Sequence, residues 1–185
     1  MKKSIRPSTH LAPVPVVLVS CGNGDKADVV TVAWTGTINS EPPMLSVSLR
    51  PSRYSYSLIK ESGEFVVNLV DRALLEACDG CGIVSGRDVD KFEKFSLTPA
   101  KSMTVGAPSV AESPISLECV VRQTIELGTH VLFLAEIVAA TAEEKWLDGE
   151  KLHIADGELV AYVQNRYLGT GTTLGTFGFT AKKNR

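Results

Sequence analysis

Two arginines, two serines and a tyrosine crowd into Arg50-Pro51-Ser52-Arg53-Tyr54-Ser55. Guanidinium groups and hydroxyls in one short run suit a phosphate, because a dianion leaves water only for charge-assisted hydrogen bonds. Ser52 and Ser55 are also candidate helix-start residues, and a helix N-terminus favours an anion. Upstream, Ala33-Trp34-Thr35-Gly36-Thr37 supplies small residues that let a backbone approach the edge of a planar ring. Leu49 ends the intervening apolar run. Downstream, Ser85-Gly86 begins a second polar loop, and Lys91 follows it. Phosphate donors beside a flat, backbone-lined slot are what a phosphate-bearing planar ligand such as FMN requires. Backbone donors along the ring would also stabilise negative charge when it is reduced. A purely structural reading of the same residues puts Trp34 in the core, makes Pro42-Pro43 a turn and leaves the arginines at a solvated strand end.

Other chemistries are missing. His10, His130 and His153 have no HxH or HExxH spacing, so no histidine-based metal site is expected. No GxSxG motif marks a hydrolase elbow. The run Gly169-Thr-Gly-Thr-Thr-Leu-Gly175 has the spacing GxGxxxG and too little chain after it for a βαβ unit, so it reads as a loop. Cys78-Asp-Gly-Cys81 lacks the second pair a structural zinc site needs, and it closes an apparent helix where a thioredoxin-type motif opens one. Its thiols are expected to be small and buried or half-buried, with a redox or flavin-adjacent role and metal binding as alternatives. No catalytic side chain and no metal ligand is assigned.

The elements that must position these residues are mostly strands. Leu45, Val47 and Leu49 alternate with Ser46, Ser48 and Arg50, the period of a half-buried strand. Residues 29–34 and 64–69 read as further strands, with Thr35–Asn39 as a polar break between two of them. The polar segment 22–28 joins a first strand, Val14–Ser20, to the second as a hairpin. Residues 114–128 and 130–143 form a longer hairpin about Gly128-Thr129. Short helices are expected over 55–62, 72–78 and 88–95. The fold class is therefore mainly β, a β-barrel with short helical insertions, and residues 1–185 are expected to form one domain.

Composition narrows the partners. The net charge is −2, and no Lys/Arg run builds a nucleic-acid patch. Nothing approaches the roughly 18 continuous apolar residues of a membrane span. The N-terminal stretch through Cys21 has a basic start and an apolar run, as a lipoprotein signal does, but Pro13 and Pro15 interrupt that run. A cytoplasmic protein without disulfides is expected.

The order and spacing of five stretches, 31–55, 63–69, 85–95, 107–121 and 128–138, resemble the flavin reductase-like proteins of the FMN-binding split β-barrel fold, most closely the flavoredoxin type. The resemblance spans roughly residues 12–170. It implies a homodimer with FMN near the subunit interface and electron transfer, commonly reduction of flavin by NADH or NADPH. On this resemblance Ala33, Trp34, Thr35, Gly36 and Thr37 line the ring and ribityl chain. Leu49, Arg50, Pro51 and Ser52 run under the ring toward the phosphate. Arg53, Tyr54, Ser55, Ser85, Gly86 and Lys91 close the phosphate site, and His130 lies near the nicotinamide. The second cysteine of the CxxC has no counterpart role. Two functions follow as expectations: an NAD(P)H-dependent flavin reductase, possibly serving a partner oxygenase, or a flavoredoxin-type carrier that exchanges electrons with protein partners. A barrel for another planar cofactor, such as haem or a deazaflavin, is the third.

Overall fold

All five residues of the strand Val17–Cys21 are buried. Val17, Val19 and Cys21 join one apolar cluster, whereas Leu18 joins another with Val16 before it. A strand covered on both faces must be apolar throughout, which is why this run does not alternate. In the computed structural model, which describes residues 1–181, this strand is β2, following the short β1 (Val14–Pro15). Residues 182–185 of the expected 1–185 domain lie outside the described residues.

The next strands are β3 (Asp28–Val32), β4 (Thr35–Ser40) and β5 (Pro43–Leu49). Helix α1 (Tyr54–Ser62) ends at Gly63, whose φ of 70° closes the helix in a left-handed cap. After it come β6 (Glu64–Leu69), helices α2 (Leu75–Ile83) and α3 (Lys91–Lys94), and the two-residue β7 (Pro99–Ala100) and β8 (Ser109–Val110). The long pair β9 (Ile115–Glu126) and β10 (Val131–Ala142) precedes β11 (Leu147–Asp148), β12 (Lys151–Leu152), β13 (Val160–Val163) and β14 (Arg166–Gly169).

One antiparallel sheet runs β3-β2-β6-β9-β10-β5-β4. Val30 and Val32 from its first strand share a cluster with Leu45, Val47 and Leu49 from the other side, and with Phe65 and Phe133 between. The sheet is thus rolled about its own core, with Leu58 and Ile59 of α1 packed into it. The outer face of β2 and β3 carries α2 and α3, through Cys78, Cys81 and Phe92. A separate small sheet, β1-β13-β14, packs Val160 into one cluster with Leu18 and Val29 of the barrel.

Both expected hairpins form, β2 with β3 and β9 with β10. Two expectations are corrected. Residues 35–39 are not a polar break: they pair with β5 as edge strand β4. Helix α2 does not end at Cys78 but continues to Ile83, so the CxxC lies inside it. Trp34 is 45% exposed, so the purely structural reading that puts it in the core does not hold. No helix among the described residues is long and apolar enough to cross a membrane.

Candidate functional site

Strand β5 buries Leu49 in the core and turns its successor, Arg50, to solvent. The chain then folds back, Arg53 N–H donating to Arg50 C=O at 3.0 Å, and enters α1 at Tyr54. This turn sets both arginines at the junction of two recesses. The larger, about 370 Å³, is lined by Val30–Val32 on β3 and the Ala33 and Trp34 that follow it, by Ser48–Arg50, by Asp79, Gly82 and Ile83 on α2, and by His130, Tyr162 and Tyr167. The smaller, about 200 Å³, is lined by Arg50, Ser52–Ser55, Ser85, Gly86 and Lys91. Arg50, Arg53 and Val30 belong to both, so the recesses form one groove.

The small recess has a cationic rim. Arg53 donates to the Gly82 carbonyl at 3.1 Å. Arg87 donates to the Ser52 carbonyl at 2.9 Å and lies 5.6 Å from the Tyr54 ring centroid. None of Arg50, Arg53 and Arg87 has a carboxylate partner among the described residues. Three guanidinium charges left unpaired beside serine hydroxyls, on a chain of net charge −2, have the chemistry to hold an anion.

Lys91 and Ser55 form the floor rather than the rim. Lys91 is 3% exposed, stands 3.2 Å from Asp28 Oδ1, and donates to the Val29 carbonyl at 2.7 Å and the Cys81 carbonyl at 3.4 Å. Its ammonium group therefore already faces three protein acceptors. The Ser55 hydroxyl donates to the other Asp28 oxygen. Asp28 ties β3, α1 and α3 together beneath the recess. Gly86 covers it so closely that a Cβ there would strike both the carboxylate and the Tyr54 ring. Buried charge is tolerable because it is paired and hydrogen-bonded.

The large recess has aromatic walls. The Trp34 and His130 rings stand 4.5 Å apart at 35°. Thr129 Oγ1 and His130 Nδ1 are 3.0 Å apart. Burial, followed by the neighbouring Arg50 guanidinium, holds the imidazole below its ordinary pKa range, so the ring is neutral at pH 7. Tyr162 and Tyr167 pack edge to face at 5.4 Å, and the Tyr167 hydroxyl donates to Asp79 at 2.8 Å.

Of the residues expected at the site, Ala33, Trp34, Leu49, Arg50, Ser52, Arg53, Tyr54, Ser55, Ser85, Gly86, Lys91 and His130 line this groove. Thr35, Gly36, Thr37 and Pro51 line neither recess. The first three lie along edge strand β4. Asp28, Asp79, Arg87, Tyr162 and Tyr167 were not anticipated. Arg87 stood beside Ser85-Gly86 and its charge was the available signal. Asp28 gives none, because its role exists only through contacts distant in sequence.

Cys78 and Cys81 are fully buried in α2, and burial pushes both thiols up to about 12. No group of His, Cys, Asp and Glu among the described residues could hold a metal ion.

A rolled seven-stranded sheet with an arginine-rimmed groove on its outer side defines a split β-barrel of the flavin reductase type. The chain belongs to the flavin reductase like domain family, whose model matches residues 9–169. It is 33% identical to the flavoredoxin of Desulfovibrio vulgaris (Miyazaki F), with 95% of this chain and 97% of that one covered at a TM-score of 0.87. The flavoredoxin of Methanosarcina acetivorans is 30% identical, with both chains fully covered at a TM-score of 0.89. An uncharacterised protein of Archaeoglobus fulgidus is 38% identical over 76% of this chain and 79% of its own.

Proposed function

We propose that the chain binds FMN and acts as a flavin reductase, taking hydride from NADH or NADPH. The observation that carries this reading is the groove itself: three unpaired guanidinium groups around a serine- and glycine-lined recess, opening directly into a larger slot with aromatic walls. The first part matches a phosphate and the second a stacked ring. When bound, FMN supplies the hydride acceptor and all of the redox chemistry.

The chain's own residues bind and orient. Arg50, Arg53 and Arg87 neutralise the phosphate, and Ser52 and Ser85 offer hydroxyl donors. Lys91, its charge already paired, fixes the floor on which these groups stand. Ala33, Trp34 and Leu49 shape the slot. His130 and Trp34 give a donor ring a surface to stack on, and a neutral imidazole adds no charge to repel it. Holding two rings at reactive distance is the principal requirement, because orientation alone is worth many orders of magnitude in rate. A side-chain acid or base is not needed.

A second reading is a flavoredoxin-type electron carrier without useful NAD(P)H activity. The resemblance to two flavoredoxins over nearly the whole chain favours it. Stopped-flow mixing of FMN-loaded protein with NADH or NADPH separates the two. Rapid bleaching of the flavin absorbance is the expected result. Bleaching with dithionite but with neither nucleotide would leave the carrier.

Two copies are proposed to associate. Trp34 is 45% and Ile38 46% exposed, along or beside edge strand β4. An unpaired edge with apolar side chains invites a partner strand or surface. A partner copy over β4 would bring Thr35, Gly36 and Thr37 into the cofactor's surroundings. A redox protein or an oxygenase would then receive the electrons.

A further inference from the structure

Among the described residues that line the large recess, Asp79 is the single acidic side chain, and none of the roles above uses it. A carboxylate weakens anion binding in a groove that two arginines line, so it must face some other part of the bound molecules. Its geometry is specific. Asp79 Oδ1 accepts the Tyr167 hydroxyl at 2.8 Å. Tyr167 is held in turn by its edge-to-face contact with Tyr162. Burial, then the bond to Asp79, pushes the Tyr167 phenol above its ordinary range, so it remains a donor at every physiological pH. The other carboxylate oxygen has no hydrogen-bond partner among the described residues. One oxygen is anchored and one is free.

The reaction discriminates between the two rings that could meet this oxygen. In hydride transfer the C4–H bond of the nicotinamide breaks with both its electrons, and a bond to flavin N5 forms. The donor ring is left cationic, and negative charge arrives on the acceptor. A fixed carboxylate stabilises the first and opposes the second, whereas the Arg50 guanidinium does the reverse. The groove is therefore polarised in the sense the transfer requires only when Asp79 faces the donor ring.

We propose that Asp79 is the specificity-determining residue for the electron donor: its free oxygen accepts an N–H of the nicotinamide carboxamide. The proposal rests on the flavin-reductase reading. Asp79 is exposed in the empty groove, so water meets its free oxygen there. A nucleotide that covers it must replace that water with an N–H, and an analogue that lacks the N–H leaves the acceptor without a partner.

The test is calorimetric titration of FMN-loaded protein with NAD+ and with its 3-acetylpyridine analogue, which keeps the ring charge and carbonyl but has no amide N–H. Both rings carry the same charge, so their difference isolates the hydrogen bond. The wild type is expected to prefer NAD+ by about tenfold to a hundredfold, the range of one charge-assisted hydrogen bond. Asp79→Ala is expected to erase that preference while binding FMN as the wild type does. Tyr167→Phe, which keeps the carboxylate and removes its anchor, is expected to reduce the preference in part. A preference that survives in Asp79→Ala overturns the assignment, and so does a loss of FMN affinity in that variant. A wild type that binds both nucleotides equally removes Asp79 alone. A wild type that binds neither, and whose flavin NADH does not bleach, removes the reductase reading as well.

Discussion

Arg53 hangs its guanidinium on the Gly82 carbonyl at the point where the two recesses meet. Replacing it by alanine removes one charge from the proposed phosphate site and leaves the floor of Asp28, Lys91 and Ser55 intact. Arg53→Ala is therefore expected to weaken FMN binding by about 1.5–3 kcal/mol, one to two decades in dissociation constant. Riboflavin has no phosphate and should lose far less. Fluorescence titration of the apoprotein with both ligands checks this, and equal losses would make Arg53 a structural residue. The contrast with Lys91 shows what sequence can and cannot reveal of a site. Arg50 and Arg53 are legible because they share one turn and need no distant partner. Lys91 has the same charge, yet Asp28 holds it below the surface. Only the fold discloses that pairing.

At the scale of elements, legibility follows the strength of the local pattern. The β9–β10 hairpin declares itself by long alternation and a glycine at its turn, where Gly128 has φ 91°. Strand β4 does not, because an exposed edge needs no apolar residue in register. The helix expected over 72–78 stops short of Ile83 because Gly80 and Gly82 lower helix propensity. A Cβ at Gly80 would strike the Phe95 ring, whereas one at Gly82 would only press closely on Thr31. The β13–β14 turn carries positive φ at Gln164 and Asn165 (46° and 63°), the form of a tight hairpin, and Asn165 was the only cue to it. A further element, the segment between β7 and β8, wraps a single carboxylate. Glu118 is 2% exposed and accepts from Met103 N at 2.7 Å, Thr104 N at 2.7 Å, Thr104 Oγ1 at 2.6 Å and Val105 N at 3.2 Å. Burial alone would raise its pKa, but the Thr104 and backbone donors outweigh it and hold it below the ordinary value of 4.5. A depressed folded-state pKa contributes stability that is present above 4.5 and lost as the pH falls through the folded value. Glu118→Gln keeps the shape and removes the charge. It is expected to cost about 1–3 kcal/mol at neutral pH and to flatten the acid limb of the stability profile. Urea midpoints from neutrality down through the carboxylate range measure both effects. An unchanged acid limb would assign the sensitivity to other carboxylates.

For the whole molecule, the question is what covers the β4 edge. If a second copy does, and if the cofactor lies where the copies meet, flavin retention depends on protein concentration. Sedimentation over a dilution series, followed at a flavin wavelength, should show a dimer that loses its colour as it dissociates. A monomer that sediments with its flavin would refute the shared site. The barrel core itself makes no such demand, since its clusters close within one chain.

All four thiols of the chain lie at zero exposure, on β2, on β9 and within α2. The native protein is therefore expected to be silent toward alkylating agents, which mass spectrometry after brief labelling checks. Its cysteines become visible only when the barrel or its outer helices open, and Cys21 and Cys119 sit in one layer while Cys78 and Cys81 sit in the other. Mass-resolved alkylation would thus report the opening of each layer by its own pair of labels, a breathing record written into the chain without any engineered probe.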